Sequence, residues 1–382
     1  MAKSLEFVEK LQSYTRNLTA QGLHRKRQIV CDASVLNFSC NDYLSLSLHP
    51  QVQQAYQQGF SNYPSGSGGS MVVCGYHPIH QELEHVFAEM LHVDDCILFS
   101  SGYAANLSVA NLLGELNNFV LIDKNIHASV YDGLKLANAD YARYLHNDLQ
   151  NLTGKLRENP NSVVATESIF SMSGQIPDLR AMSQIACEFD STLFVDEAHA
   201  FGVFGPQGCG SVPYHQLTQE EVPLRIIPFG KALASQGALI AGKKEWIDGL
   251  LQVARPHIYS TAISPALAYG VLQTLEIIRK ADDRREKLQE LIAYFRGKIA
   301  NTPFQWKNSI SPIQQLQLGC PHQACAFAEE LKKQSIACLP MRQPTVSKLD
   351  TGLRVSLNYN HSFADIDRLF SCLLTCAQQH YE

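Results

Sequence analysis

Short apolar runs alternate with amphipathic stretches from about residue 96 to about residue 245, and this alternation constrains the fold more than any other feature. Nearly continuous apolar runs are typical of strands that are covered on both faces. Strands that alternate with helices form a mostly parallel central sheet with helices on both faces, which is an α/β architecture. The predicted strands are Cys96–Phe99, Phe119–Ile122, Val163–Ala165, Leu193–Val195, Arg225–Ile227 and Ala238–Ala241.

The chain on either side of this region has a different pattern. Leucine and valine recur at helical spacing over residues 5–18, and residues 28–38 alternate like a pair of strands. After about residue 264, a long helix over residues 267–299 is charged on one face. Two short strands, over 314–318 and 353–357, then alternate with helices over 323–333 and 363–380.

These differences in pattern predict that the chain has three parts. An N-terminal helix and strand segment covers residues 1–45, a large α/β domain covers 46–262, and a smaller α+β domain covers 263–382.

Composition excludes several classes of protein. Of the 382 residues, 45% are hydrophobic and 18% are charged, so the chain can bury a large core. The net charge is −5 without blocks of like charge, which predicts neither a nucleic-acid partner nor an anionic membrane partner. No run approaches the roughly 18–20 apolar residues of a membrane span. The cysteine count is odd, 11, which predicts reduced thiols in the cytoplasm. The cysteines form no Cys-x-x-Cys pair, so we expect no metal site.

Polar residues that could carry chemistry follow the predicted strands directly. In open α/β sheets, ligands bind at the carboxyl ends of the strands. Ser101, Gly102 and Tyr103 follow the first run and begin a helix, whose unpaired N–H groups favour an anion. His127 follows the second run and the segment 166–174 follows the third. Each feature alone also has an ordinary structural explanation, such as a helix N-cap or a hydrogen-bonded histidine.

The sequence Asp196-Glu-Ala-His199 follows the fourth run and resembles a motif of nucleotide-driven helicases. Such enzymes also need a Gly-x-x-x-x-Gly-Lys-[Ser/Thr] loop to hold phosphates. None of the Gly-Lys pairs of this chain is followed by Ser or Thr, so the helicase interpretation is disfavoured. These pairs are Gly154-Lys155, Gly230-Lys231, Gly242-Lys243 and Gly297-Lys298.

Lys231 follows the fifth run in an apolar setting, where an ammonium group loses part of its stability. This setting suits an amine that forms a Schiff base, although a surface lysine is the alternative for this position alone. Together, the strand ends carry an anion cradle, two histidines, a carboxylate and a lysine. That is the set of groups that pyridoxal phosphate requires.

The same residues resemble a known family, the α-oxoamine synthases, which are pyridoxal-phosphate enzymes of the aspartate-aminotransferase fold (fold type I). The resemblance runs from about residue 20 to about residue 375. Its motifs are Asn37-Phe-Ser-Cys-Asn-Asp-Tyr-Leu44, Gly66-Ser-Gly-Gly-Ser70 with Gly75 and His80, Ser101-Gly-Tyr-Ala-Ala-Asn106, Asp196-Glu-Ala-His199, Gly230-Lys231 and Tyr259-Ser-Thr261.

The resemblance implies a role for each residue. Lys231 would hold pyridoxal 5′-phosphate as a Schiff base and move protons at the substrate carbon. Asp196 would keep the pyridine nitrogen protonated, and His127 would stack on the ring. The other implied contacts are His199 and Ser171 at the ring hydroxyl or nearby substrate oxygens, Ser101, Gly102 and Tyr103 at the phosphate, and Ser260 and Thr261 at the phosphate of the neighbouring subunit in a homodimer.

Three residues are implied at the substrate. Arg354, with help from Asn41, would grip an amino-acid carboxylate through two parallel hydrogen bonds. Thr345 lies in the motif Pro344-Thr-Val346, which this chain shares with one branch of the family.

The implied reaction is a decarboxylating acyl transfer. That motif, together with Leu353-Arg-Val-Ser-Leu357 and His361, favours condensation of L-alanine with a pimeloyl thioester to 8-amino-7-oxononanoate, a step of biotin biosynthesis. Coenzyme A and an acyl carrier protein both stay open as the acyl carrier. The alternatives are the glycine-using activities, glycine C-acetyltransferase and 5-aminolevulinate synthase, and a catalytically idle regulatory or binding subunit.

The chain departs from the family pattern beside Lys231. Pro228 stands where the family usually has Thr or Ser, and proline offers neither a hydroxyl nor an N–H group. Ala232 and Ala234 replace glycines downstream. We therefore predict a weaker grip on the cofactor phosphate and an altered loop around Lys231.

Overall fold

The computed structural model describes residues 2–27, 29 and 34–381. The chain divides into two units. The sheet unit comprises residues 41–171 and 176–287, and the terminal unit comprises residues 1–40, 172–175 and 288–382.

A seven-stranded sheet forms the centre of the sheet unit, in the order β2-β8-β7-β6-β5-β3-β4. All pairings are parallel except those of β8, which runs antiparallel to both β2 and β7. The predicted mostly parallel α/β sheet is therefore confirmed. Its strands are β2 (Asp95–Phe99), β3 (Val120–Asp123), β4 (Tyr141–Tyr144), β5 (Val163–Glu167), β6 (Thr192–Asp196), β7 (Leu224–Pro228) and β8 (Ala238–Gly242).

Alternate residues of these strands pack into different apolar clusters, so the sheet is covered on both faces. On β2, Ile97 and Phe99 join one cluster, while Cys96 and Leu98 join another. Similarly, Val164 of β5 lies in a cluster separate from that of its neighbours. Burial on both faces explains why the predicted runs are continuously apolar rather than alternating.

The helices of the sheet unit precede β2, separate the strands of the sheet, or follow β8 in the sequence. They are α2 (Pro50–Asn62), α3 (Pro78–Leu91), α4 (Gly102–Glu115), α5 (Ala128–Leu136), α6 (Leu149–Glu158), α7 (Leu179–Glu188), α8 (Ser211–Tyr214), α9 (Lys244–Val253), α10 (Arg255–Ile258) and α11 (Pro265–Arg279), with a π-helical turn at Met71–Gly75 and a 3₁₀ turn at Pro206–Gly208.

The terminal unit contains a four-stranded antiparallel sheet in the order β12-β13-β10-β9 and a parallel pair, β1-β11. Its strands are β1 (Leu36–Asn37), β9 (Gln305–Trp306), β10 (Ile313–Gln317), β11 (Ile336–Ala337), β12 (Leu339–Met341) and β13 (Gly352–Ser356). Its helices are α1 (Ala2–Ala20), α13 (Pro321–Lys333) and α14 (Phe363–Tyr381), while α12 (Asp282–Ile299) begins in the sheet unit and ends here.

Three expectations differ from this description. The single long helix over residues 267–299 is two helices, because α11 ends at Arg279 and α12 begins at Asp282. We placed a boundary after residue 262, whereas the sheet unit extends to Lys287, since α11 packs against α2 and α3. Much of the strand pair over residues 28–38 lies outside the described residues, and the described part contains β1.

Two further observations concern the described residues alone. None of their helices is long and apolar enough to cross a membrane. Each cysteine among them is a free thiol.

Candidate functional site

The predicted site residues of the sheet unit lie where its strands end. β2, β3, β5, β6 and β7 run in the same direction, so their carboxyl ends meet at one edge of the sheet. His127, Asp196 and Lys231 lie at or shortly after the ends of β3, β6 and β7 at this edge. The charges of Asp196 and Lys231 both affect the pKa of His127, which agrees with that placement. The structure therefore assembles the groups that we predicted from separate strand ends.

The start of α4 offers an anion site after β2. Ser101 is the N-cap residue, and its hydroxyl oxygen accepts the N–H of Ala104 at 3.1 Å. The first N–H groups of a helix have no partner within it, so those of Gly102 and Tyr103 are available at this end. The Tyr103 hydroxyl donates instead to Asp132 at 2.6 Å, so only the backbone of Tyr103 can serve the anion.

Pro228, the last residue of β7, packs against the beginning of α4. A Cβ atom added to Gly102 would lie 2.6 Å from the Pro228 Cγ atom. The proline ring therefore occupies the space beside the predicted phosphate site, and only glycine fits at position 102 opposite it.

Asp196 ends β6 and is buried. Its Oδ2 atom accepts a hydrogen bond from the Asn106 side-chain amide at 2.8 Å, and its Oδ1 atom accepts the backbone N–H of Ala198 at 3.0 Å. These neutral donors orient the carboxylate without cancelling its charge. Asp196 can therefore stabilise a cationic ring nitrogen. Asn106 is the last residue of the motif that begins at Ser101, but the sequence alone gave no sign that its side chain would hold Asp196.

His127 caps α5, and its Nδ1 atom lies 2.7 Å from the Ser129 hydroxyl. The pKa of His127 is lowered, first by partial loss of hydration and then by the Lys231 charge, while Asp196 opposes the shift. The lowered pKa favours the neutral imidazole, which suits stacking on a ring better than an imidazolium does.

His199 is buried, and its Nδ1 atom lies 2.6 Å from the hydroxyl of Tyr43, which is fully buried. The Tyr43 hydroxyl also lies 3.2 Å from the Asn41 side-chain oxygen. The structure therefore connects two predicted site residues, Asn41 and His199, through a tyrosine to which the sequence analysis gave no role.

Lys231 is half-buried in the turn that follows β7. The turn is closed by hydrogen bonds from the Ala234 N–H to the Lys231 carbonyl at 2.9 Å and from the Ser235 N–H to the Phe229 carbonyl at 3.0 Å. Ala234 has a φ of 49°, in the left-handed region that favours glycine. The replacement of glycine by alanine is thus accommodated at a conformational cost, in the loop that we predicted to be altered.

Ser171 and Glu167 flank the end of β5. The Ser171 N–H donates to the Glu167 Oε2 atom at 3.0 Å, and both residues are buried. We predicted Ser171 but missed Glu167. A weak signal was present, because Glu167 lies two residues after the predicted strand Val163–Ala165. Its register opposite Asp196 on β6 is visible only in the structure.

Ser260 and Thr261 are exposed and line a small cavity beside Ser100 of the same chain. Exposure at this place leaves both hydroxyls accessible to a second subunit. The contact that we predicted with a neighbouring phosphate stays a prediction.

The other two predicted substrate residues belong to the terminal unit. Arg354 lies on β13 and is buried, and Thr345 is exposed, with its hydroxyl 3.3 Å from an Arg25 guanidinium nitrogen. Their proposed part in substrate binding also stays a prediction.

The residues of the sheet unit fit pyridoxal phosphate chemically. A helix start suits its phosphate, a carboxylate held by amides suits its ring nitrogen, and an amine suits its aldehyde. Two buried oxygens at this edge, Asn106 Oδ1 and Glu167 Oε1, have no hydrogen-bond partner among the described residues, as expected where a ligand or water completes a site.

Comparison with known proteins gives a consistent result. Residues 33–373 match the family described as aminotransferase class I and II. The chain is 37% identical to the 8-amino-7-oxononanoate synthase of Pseudomonas savastanoi pv. phaseolicola over 94% of this chain and 93% of that protein. It is 38% identical to the enzyme of the same name from Pseudomonas aeruginosa over 95% of this chain and 93% of that one.

Solved structures agree on the fold. The 8-amino-7-oxononanoate synthase of Francisella tularensis matches with a TM-score of 0.82 and 30% identity, covering 92% of this chain and 100% of that one. Serine palmitoyltransferase from S. paucimobilis matches with a TM-score of 0.90 over 98% of both chains, at 22% identity.

Proposed function

The chain belongs to the aminotransferase class I and II family, and from that premise we propose that it is a pyridoxal-phosphate-dependent acyltransferase that acts as its 8-amino-7-oxononanoate synthase relatives do. It condenses L-alanine with a pimeloyl thioester in the biosynthesis of biotin. The observation that carries the proposal is the meeting of Lys231, Asp196 and His127 at one sheet edge. Identity of 37–38% to those relatives over nearly the whole chain supports the choice of reaction.

The reaction balances without an oxidant or a reductant. The α-carbon of alanine loses its proton and bonds to the thioester carbonyl carbon while the C–S bond breaks, and the sulfur takes up a proton and leaves as a thiol. The bond from that α-carbon to the carboxylate then breaks, releasing carbon dioxide, and a proton takes its place. Bound pyridoxal phosphate supplies a ring that accepts the electron pair left on the α-carbon.

The residues of the sheet edge would divide this work. Lys231 holds the cofactor through its amine and moves the proton at the α-carbon of alanine. Asp196 keeps a proton on the ring nitrogen, which strengthens the ring as an electron acceptor. His127 packs on the ring, and His199 and Ser171 hydrogen-bond its oxygen or nearby substrate oxygens.

Two further groups of contacts complete the proposal. Ser101 and the N–H groups of Gly102 and Tyr103 hold the phosphate, with Ser260 and Thr261 supplied by the second subunit of a homodimer. Arg354, Asn41 and Thr345 bind the substrate. We also propose a cytoplasmic location, which the free cysteines support.

A product assay tests the function. The purified protein with pyridoxal phosphate is incubated with L-alanine and pimeloyl-coenzyme A, and in a second arm with pimeloyl-acyl carrier protein. Mass spectrometry should detect 8-amino-7-oxononanoate in at least one arm. Product formed only from glycine with acetyl- or succinyl-coenzyme A would overturn the proposed substrates and assign a sister activity.

A further inference from the structure

Glu167 is a buried acid that the proposed reaction does not use. It ends β5, directly opposite Asp196 on the parallel strand β6, and its side chain is 2% exposed. The charges of Asp196, Lys231 and Asp123 all act on it, so it lies within the assembled edge.

The hydrogen bonds of Glu167 are incomplete. Oε2 accepts the N–H of Ser171 at 3.0 Å, whereas Oε1 is enclosed without any hydrogen-bond partner among the described residues. Glu167 also forms no ion pair with any lysine, arginine or histidine that the structure describes. A carboxylate enclosed in this way would be unstable, because its charge is buried and is not paired with a cation among the described residues.

A second buried glutamate shows what a charged carboxylate needs here. Glu197, which is fully buried, lies 3.1 Å from a guanidinium nitrogen of Arg225. It also accepts the backbone N–H groups of Ser211 and Val212 at 2.8 and 2.9 Å. Glu167 has one such N–H and no cation. The contrast indicates that Glu197 is ionised and that Glu167 keeps its proton.

The electrostatic environment agrees with that geometry. Burial, followed by the charge of Asp196, raises the pKa of Glu167 well above its usual range. The Ser171 N–H and Lys231 act in the opposite direction, and Asp123 adds to the rise. A carboxyl group that keeps its proton can play a role that a carboxylate cannot, because it can donate a hydrogen bond.

Glu167 also anchors the segment that carries Ser171. At the near end of this segment, the backbone N–H and the hydroxyl of Ser168 both donate to the Asp196 carbonyl, at 2.9 and 3.0 Å. At the far end, the Ser171 N–H donates to the Glu167 carboxyl group at 3.0 Å. The carboxyl group thus ties Ser171 to the end of β5, beside Asp196 on β6.

We propose that Glu167 is a positioning residue that acts as a neutral acid, holding Ser171 in place beside Asp196 for contact with the cofactor. The inference rests on the proposed cofactor site. Because Oε2 accepts the Ser171 N–H, Oε1 carries the proton and offers a hydrogen-bond donor to a water molecule or to a bound ligand.

The neutral state separates the roles of Glu167 and Asp196 in a substitution test. Glutamine has the shape of a protonated glutamic acid, with an oxygen to accept and an NH₂ group to donate. Glu167→Gln should therefore bind pyridoxal phosphate within about threefold of the native chain, since it preserves both functions. Glu167→Ala should lose roughly tenfold in affinity, the effect of one neutral hydrogen bond.

A double-mutant cycle tests whether Glu167 affects cofactor binding through Ser171. Cofactor dissociation constants are measured for Glu167→Ala, Ser171→Ala and the double variant by titrating apoprotein. If Glu167 acts through Ser171, the double variant should bind little more weakly than the weaker single variant. Additive losses would show a merely structural contribution and would overturn the positioning role.

Infrared spectroscopy of the apoprotein tests the proton directly and does not depend on any substrate. The native-minus-Glu167→Gln difference spectrum at neutral pH should contain the carbonyl band of a protonated carboxylic acid. Carboxylate bands in its place would overturn the neutral state, as would a Glu167→Gln variant that binds the cofactor as poorly as Glu167→Ala. If Glu167→Ala fails to fold, the infrared result and the glutamine variant still decide the inference.

These measurements separate failure of the inference from failure of the proposed function. Absence of 8-amino-7-oxononanoate in the product assay would overturn the reaction, while the infrared band would still report the state of Glu167. Absence of cofactor binding by native apoprotein would overturn both.

Discussion

Asp196 and Glu197 are neighbours in sequence, yet they belong to two different kinds of region. Both oxygens of Glu197 are satisfied by Arg225, Ser211 and Val212 in the interior of the sheet unit. Asp196 points to the sheet edge, where neighbouring buried oxygens of Asn106 and Glu167 have no partner among the described residues. Glu197 has a guanidinium partner that balances its charge inside the fold, whereas Asp196 has only neutral donors, so its charge is available to a group that binds at the edge.

The largest predicted effect concerns the sheet edge at which Asp196 and Lys231 lie. Lys231→Ala should abolish product formation, because it removes the amine that we propose to hold the cofactor and to move the α-proton. Cofactor should still bind through the start of α4 and Asp196, without the visible absorbance of a lysine-bound cofactor. The variant is assayed for product by mass spectrometry, and its unfolding curve serves as a control for the fold. Undiminished turnover would remove Lys231 from the reaction.

The next effect concerns the interior. Arg225→Met should lower the free energy of unfolding by about 3–5 kcal/mol, because it leaves the buried charge of Glu197 without a cation. Urea unfolding of the apoprotein measures this loss. Cofactor affinity of the folded fraction should stay close to native. A loss below about 1 kcal/mol would show that the ion pair matters little to the fold and would weaken the contrast between the two regions.

Asp196→Asn should give the opposite pattern, with activity lost and the fold retained. An amide cannot stabilise a protonated ring nitrogen as a carboxylate does, so the rate should fall by roughly 100-fold or more, comparable to loss of one preorganised electrostatic group. Steady-state kinetics measures the rate, and thermal unfolding checks the fold. A decrease of less than about tenfold would contradict the role of Asp196.

Pro228→Thr should give the smallest effect, and it should strengthen the binding of the cofactor. A hydroxyl at this position could donate to the cofactor phosphate, and a charge-assisted hydrogen bond contributes at most about 1.5–3 kcal/mol. We expect tighter binding of pyridoxal phosphate, measured by titrating both apoproteins. Excess cofactor should also raise the Tm of the native chain. Equal affinities would mean that backbone or water already supplies the contact.

The sequence was most informative where burial dictates composition. Strands β2, β3, β5, β6, β7 and β8 are apolar because both faces of the sheet are covered, so each was visible as a continuous run. The residues after those runs, including Asp196 and Lys231, were found for the same reason. β4 escaped, because Tyr141-Ala-Arg-Tyr144 lies at the edge of the sheet and is only partly buried.

Tertiary relationships explain what the sequence did not reveal. Local patterns carry no information on strand order, so neither the position of β8 nor its antiparallel direction could be read from them. The contact of Pro228 with Gly102 joins residues far apart in the chain, as does the hydrogen bond of Tyr43 with His199. That Glu167 Oε1 has no hydrogen-bond partner among the described residues follows from the tertiary packing around it, which local sequence does not reveal.

Helix α4 joins the two ends of the site in one rigid body. Its first residue, Gly102, faces the anion position, and Asn106, four residues later, holds Asp196. Four residues of α-helix span about 6 Å along the axis, so α4 sets the distance between the two positions. A molecule of another length could reach the helix start or Asp196, but not both. The spacing along α4 is therefore a basis for selectivity by ligand length.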